Sequence, residues 1–197
     1  MRVSFLRKRG CEVLRVGSNK ILGVILIEAR RFIDDRGYFA ETYSYKRSED
    51  LGIGVSFVQD NCSVSLQIGT LRGLHFQAPP HAQAKLVRCG RGSIFDVAVD
   101  IRQGSPTYGQ WVGEVLSEGN GKQLFIPEGF AHGFVTLEPN SEIVYKCSDY
   151  YAPETEGSLR WDDPDIGIEW PLTGAPVLSE KDAIAPFLAD FKSPFTL

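Results

Sequence analysis

The chain reads as a mainly β protein, an antiparallel sandwich or barrel with few short helices. Three observations point there. Short apolar runs follow one another along its 197 residues. Twenty glycines and eleven prolines punctuate those runs instead of gathering in a linker, and turn residues spaced in this way mark all-β architectures. Segments with a helical pattern are scarce, and no internal repeat of fixed period argues for a propeller or solenoid. At this length, with 43% hydrophobic residues, one domain with a substantial core is expected.

The elements follow in order. Strands are predicted over 22–29, 38–44, 55–65, 73–77, 83–89, 93–102, 110–117, 122–126, 132–137 and 142–150. A helix of about two turns is expected over 45–51, stopped at Gly52. The proline-rich tail from 163 leaves room for short helices such as 181–187. Alternation is clearest in 94–101, where Phe95, Val97, Val99 and Ile101 share one face and Asp96 and Asp100 the other. Asp100 is expected to face solvent; Asp96 fits a pocket or solvent equally.

Charge and cysteine content exclude several classes. A formal charge of −4 argues against general nucleic-acid binding. Residues 1–20 are basic, with Arg2, Arg7, Lys8, Arg9, Arg15 and Lys20 against Glu12 alone, and residues 1–17 are read as a solvated N-terminal extension. That segment lacks the apolar stretch and cleavage site of a secretory signal, and no run of 18 apolar residues would span a membrane. Cys11, Cys62, Cys89 and Cys147 are scattered without a C-x-x-C pair, which suits a reducing compartment better than a disulfide framework. A cytoplasmic protein is expected.

Candidate chemistry centres on three histidines, His75, His81 and His132. His132 follows Pro127-x-Gly129 at the opening of a strand. This spacing resembles the second motif of the cupin superfamily, with Thr136 where an asparagine usually ends it. The resemblance implies a double-sheet antiparallel β-barrel, a jelly roll, over residues 18–197. Metal-binding cupins also carry a His-x-His pair and a nearby Glu. Here His75 and His81 stand six apart and no Glu lies between Glu49 and Glu114, so no metal site and no cofactor are expected. His75 alone reads as a core histidine. Lys85 and Tyr145 on neighbouring strand patterns and Asp182 in the tail change that reading. A carboxylate fixes an imidazole's tautomer and makes its other nitrogen a competent base. A lysine near a carbonyl oxygen stabilises an enolate, and a tyrosine beyond the flat enolate can return the proton. Those are the parts of an epimerase acting beside a ketone.

Several segments are similar, taken together, to the dTDP-4-dehydrorhamnose 3,5-epimerase family. They are Asp35-Arg36-Gly37-Tyr38-Phe39-x-Glu41, Arg72-Gly73-Leu74-His75-Phe76-Gln77, Pro79-Pro80-His81-Ala82-Gln83, Lys85-Leu86-Val87-Arg88, Phe95 to Asp100, Ile126 to Phe134 and Ser179-x-Lys181-Asp182. The resemblance implies His75 as base, Asp182 as its partner, Tyr145 as acid and Lys85 beside the keto oxygen. It implies that Arg36, Glu41, Gln59, Asp60, Asn61, Arg72, His132, Glu156 and Lys181 hold the nucleotide and sugar. It further implies a homodimer acting on dTDP-4-keto-6-deoxyglucose, inverting carbons 3 and 5. Phe39 and Tyr151 are candidates for stacking, although Phe39 fits a core equally. Cys62 stands where the family commonly has a histidine. The alternatives from the residues are a 3-epimerase on another dTDP-4-keto-deoxysugar, a metal-dependent cupin, and a non-catalytic sugar-binding barrel.

Overall fold

The computed structural model describes residues 14–16, 21 and 23–197. In chain order its elements are β1 (Leu14–Val16), β2 (Ile25–Glu28), β3 (Arg31–Asp34), β4 (Gly37–Ala40), α1 (Tyr45–Asp50), β5 (Gln59–Ser65), β6 (Leu71–Gln77), β7 (Lys85–Arg91), β8 (Ser93–Asp100), β9 (Trp111–Ser117), β10 (Lys122–Ile126), β11 (Phe130–Thr136), β12 (Ser141–Cys147), β13 (Glu156–Ser158) and α2 (Glu180–Ala183). One sheet runs β1-β2-β10-β7-β12-β5 and the second runs β13-β6-β11-β8-β9; β3 and β4 pair as a separate ribbon. All these pairings are antiparallel.

Three apolar clusters set the layers. The first contains Leu26, Val87, Leu124, Ile126 and Ile143 from the six-stranded sheet and Ile94, Ala98, Leu116, Phe130 and Phe134 from the other. It is the filling between the sheets. The second joins Leu74, Phe76, Val97, Val99 and Ile101 to Leu159, Ile166 and Phe195, so the tail covers the outer face of the five-stranded sheet. The third packs Ile25, Ile27, Leu86 and Phe125 against Leu51 and Ile53 beside α1. A sheet covered on both faces removes water from both.

That double covering corrects the reading of β8. Asp100 does not face solvent; it is fully buried. Both Oδ atoms are occupied: Arg102 donates from its backbone and guanidinium, and Ser105 and Thr107 each donate at 2.6 Å. A buried carboxylate persists only when it is paired in this way. Burial pushes the Asp100 carboxyl upward, but these bonds win and hold it at about 2. Asp96 is also fully buried.

The helix over 45–51 stands nearly as expected, with Leu51 as its C-cap and Gly52 beyond at φ +81°, a value that favours glycine. The tail helix is shorter than 181–187. It covers Glu180–Ala183, because Pro186 disfavours helix at the residue before it. Phe39 is exposed on the ribbon and not in the core. The N-terminal extension lies mostly outside the described residues; of it, Leu14–Val16 pair with β2 at the sheet edge. Among the described residues no helix is long and apolar enough to cross a membrane.

Candidate active site

Strand β6 brings the first two functional side chains into one space. Arg72 and His75 are three residues apart, so on a regular strand they would face opposite ways. The pairing with β11 contains a bulge: His132 pairs with His75, but Phe134 pairs with Arg72. One extra residue on β6 turns both side chains inward. The bulge requires glycine. Gly73 has φ +129°, and a Cβ there would meet the Cα of Gly133 at 2.5 Å. The Arg-Gly-Leu-His and His-Gly-Phe segments thus fit each other at the crossing.

The result is a cavity of about 420 Å³ lined by Arg72, His75, Lys85, His132, Tyr145 and Asp182, with Ser63, Phe134 and Ser179. Arg72, His75 and His132 come from the five-stranded sheet; Lys85 and Tyr145 come from the six-stranded one. His75 and Tyr145 therefore stand on opposite walls. The tail supplies one side. Val177 is fixed against the strand start by Leu71 N–H donating to its carbonyl at 3.0 Å and its own N–H donating to Gly69 at 2.9 Å. The Ser179 hydroxyl then caps α2 by accepting from the Asp182 N–H at 3.1 Å.

That cap delivers Asp182 to His75, with Nε2 and Oδ1 2.6 Å apart. Asp182 is buried, whereas the His75 side chain keeps 30% of its surface. Burial pushes the Asp182 carboxyl upward, yet hydrogen bonds from His75, Ser179 and the Gly73 backbone hold it below the usual carboxylate range. With Nε2 engaged, Nδ1 is the ring nitrogen available to take a proton. His132 makes a second pair, Nε2 to Asp96 Oδ1 at 2.7 Å, almost wholly buried. His81 bonds Asp149 at 3.0 Å on an exposed loop, outside the cavity lining.

Lys85 carries no ion pair among the described residues. Desolvation pulls its ammonium below the usual lysine range, while the charges of Cys147, Asp96 and Glu156 act the other way. Burial pushes the Tyr145 phenol up, opposed by Arg72 and by a hydrogen bond from Asn61. A phenol kept protonated across neutral pH suits an acid. Asp96 Oδ2 and Ser63 Oγ are buried with no hydrogen-bond partner among the described residues.

The other expected site residues fall into two groups. Gln59 and Asn61 lie on β5 beside Tyr145, and Glu156 and Lys181 form an ion pair at 2.6 Å that ties α2 to β13. None of these four lines the cavity, nor do Asp60, Arg36 and Glu41. Asp60 pairs with Lys146, Glu41 with Arg47, and Arg36, on the ribbon tip, with Asp34. Tyr151 is exposed. Ser63 has no place among the sequence candidates, and Phe134 and Ser179 stand in quoted motifs without a role of their own. The signal for Ser63 is parity, since it shares a strand face with Asn61 and Ser65. Among the described residues no group of three or more His, Cys, Asp and Glu side chains could hold a metal ion.

The family model described as dTDP-4-dehydrorhamnose 3,5-epimerase matches residues 18–190. A dTDP-4-dehydrorhamnose 3,5-epimerase of Salmonella typhimurium is 57% identical over 166 residues, which cover 84% of this chain and 90% of that protein. A crystal structure of the dTDP-6-deoxy-D-glucose-3,5-epimerase of Legionella pneumophila, in complex with dTDP-4-keto-L-rhamnose, superposes with a TM-score of 0.89 at 47% identity, covering 93% of this chain and 97% of that one. A 3'-monoepimerase of Streptomyces bikiniensis in complex with dTDP-quinovose superposes with a TM-score of 0.79 at 37% identity, covering 85% and 84%. Matched along most of its length by sequence and by fold, the chain belongs to the dTDP-4-dehydrorhamnose 3,5-epimerase family.

Proposed function

We propose that the enzyme inverts carbons 3 and 5 of dTDP-4-keto-6-deoxyglucose, giving dTDP-4-keto-L-rhamnose without a cofactor. The observation that carries this reading is the pair of proton-transfer groups on opposite cavity walls, His75 held by Asp182 and Tyr145 across from it. The 4-keto group acidifies the hydrogens on both adjacent carbons. His75 removes one through Nδ1, and the electrons move to the keto oxygen. Lys85 stabilises the resulting enolate. Tyr145 returns a proton to the opposite face; His75 then gives its proton to solvent, the Tyr145 phenolate takes one up, and the sequence repeats at the second carbon. Acid–base transfer of this kind contributes about 10²–10⁴-fold.

Arg72, with the unpartnered Ser63 hydroxyl, is the group available for the diphosphate, since guanidinium and hydroxyl donors suit phosphate oxygens. Arg36 and Glu41 sit outside the cavity on a ribbon that also exposes Phe32, Ile33, Tyr38 and Phe39. An exposed apolar ribbon of this kind marks an interaction surface. The enzyme acts as a homodimer in which each ribbon completes the nucleotide end of the partner's cavity. Mixing Arg36→Ala and His75→Ala protomers should then regain part of the wild-type rate, because one site in the mixed dimer is intact. No regained activity counts against the shared site. A sugar-nucleotide substrate supports a cytoplasmic location.

The likeness to the Streptomyces bikiniensis monoepimerase keeps a second reading in play, inversion at carbon 3 alone. Reaction in deuterium oxide followed by NMR separates the two. Deuterium at both carbons supports double inversion. Deuterium at carbon 3 alone supports the second reading.

A further inference from the structure

The ribbon of β3 and β4 is held at its root by contacts that the mechanism above leaves unused. On β3, Arg31 donates to the carbonyls of Glu118 and Gly119. Just past β4, Glu41 and Thr42 line a cleft together with Arg47, Ser48, Leu86 and Gln123. Gln123 is buried on β10, and its Nε2 group donates to the Thr42 carbonyl at 2.8 Å. That bond sets the backbone next to Glu41. The Glu41 side chain is set separately. Arg47 Nη1 lies 2.6 Å from Glu41 Oε1, with both side chains partly open to solvent. Arg47 belongs to α1, and the chain that follows α1 seats it on the six-stranded sheet, Leu51 and Ile53 packing with Leu86 and Phe125.

We propose that Arg47 is a positioning residue for the nucleotide end of the site, and that it acts by holding the Glu41 carboxylate in the direction the nucleoside needs. A free glutamate samples several rotamers, and ordering it on binding costs affinity. Arg47 sets that direction before the ligand arrives. With Oε1 on the guanidinium, Oε2 is left to accept from an N–H or O–H of the nucleoside. Arg47 itself needs no contact with the nucleotide. This gives α1 a role beyond covering the sheet, since it carries the group that aims a binding carboxylate of the ribbon. The pair is partly exposed, so its effect is modest and falls on affinity rather than on proton transfer.

The inference rests on Glu41 holding the nucleotide, so the test separates the two claims. The dissociation constant of dTDP, measured by calorimetry on the full chain, reads the nucleotide end without the chemistry. Glu41→Ala should weaken dTDP about tenfold or more, the loss of a hydrogen bond to a charged group. If dTDP binds Glu41→Ala as it binds wild type, Glu41 does not hold the nucleotide and the role of Arg47 falls with it. Arg47→Ala should weaken dTDP about threefold to fivefold, raise KM to match and leave kcat within about twofold. Arg47→Lys should recover part of the loss, because a point charge still attracts the carboxylate without the planar fork. In a Glu41→Ala background, Arg47→Ala should change the dissociation constant less than about twofold, since the carboxylate it holds is gone. An equal loss in both backgrounds would overturn the proposal, because Arg47 would then act independently of Glu41. Unchanged dTDP binding in Arg47→Ala would overturn it as well. So would tighter binding, which would mean that the pair masks Glu41 instead of aiming it.

Discussion

The two histidines that meet across β6 and β11 are each bound to an aspartate, yet their surroundings differ. His132 and Asp96 come from adjacent strands and are both buried; their bond is completed inside the sheet. His75 is bonded to a residue 107 positions away, on a helix of four residues that belongs to the tail, and its ring stays open to the cavity. The same pairing thus serves two ends. A histidine–aspartate bond within a sheet supports the wall. One made between the wall and a separately tethered helix leaves a ring nitrogen exposed for proton transfer. Exposure and the origin of the carboxylate, not the pairing itself, distinguish a candidate base from a supporting group.

This contrast is open to attack at each pair. The largest effect is expected at His75. His75→Ala should lower kcat by about 10³-fold or more at little cost in melting temperature, because the ring is partly exposed and its loss removes the base. Steady-state kinetics beside a thermal melt checks both halves. Next comes Asp182→Asn, which keeps the size of the side chain but no longer fixes the tautomer that leaves Nδ1 unprotonated. A loss of about 10²-fold in kcat, with KM nearly unchanged, is expected.

Asp96→Asn should reverse the pattern. Removing a buried charged partner from His132 should cost about 2 kcal/mol in stability by denaturant titration, with a smaller effect on kcat than Asp182→Asn. A kcat loss equal to that of Asp182→Asn, in a stably folded protein, would erase the distinction between the two pairs.

Asp100 supplies the control, a buried carboxylate bound to an arginine that does not titrate. Its pKa is depressed to about 2. Its contribution is therefore fully present above the unfolded value near 4 and is lost as pH falls through the folded value. The stability difference between wild type and Asp100→Asn should be about 2 kcal/mol larger at pH 6 than at pH 2. Denaturant titrations at the two pH values test the sign.

The sequence carried the strand pattern and the chemistry unevenly. Strand β10 matches its expected span, because the apolar Leu124-Phe125-Ile126 ends a short segment bounded by Gly121 and Pro127. Strands β3 and β13 gave no signal. Arg31–Asp34 is half charged and lies on a ribbon that buries little, and Glu156–Ser158 is held by backbone pairing with β6 rather than by apolar side chains. Asp100 was misread because alternation reports one wet face, and the tail and the opposite sheet leave β8 none. At the site, residue types and motifs marked His75, Lys85, Tyr145 and Asp182, whereas their meeting in one cavity depends on the β6 bulge and the Ser179 cap. Neither has a periodic signature. On β5 the resemblance marked Gln59 and Asn61, whereas Ser63 carried only the parity of its strand.

The most direct trial of the central claim is a crystal structure with a dTDP-sugar bound. The account predicts the pyranose ring lying between the His75 imidazole and the Tyr145 hydroxyl, one on each face, with Lys85 at the keto-bearing carbon. A ring that meets both groups on the same face, or that lies outside the cavity they share, would contradict it.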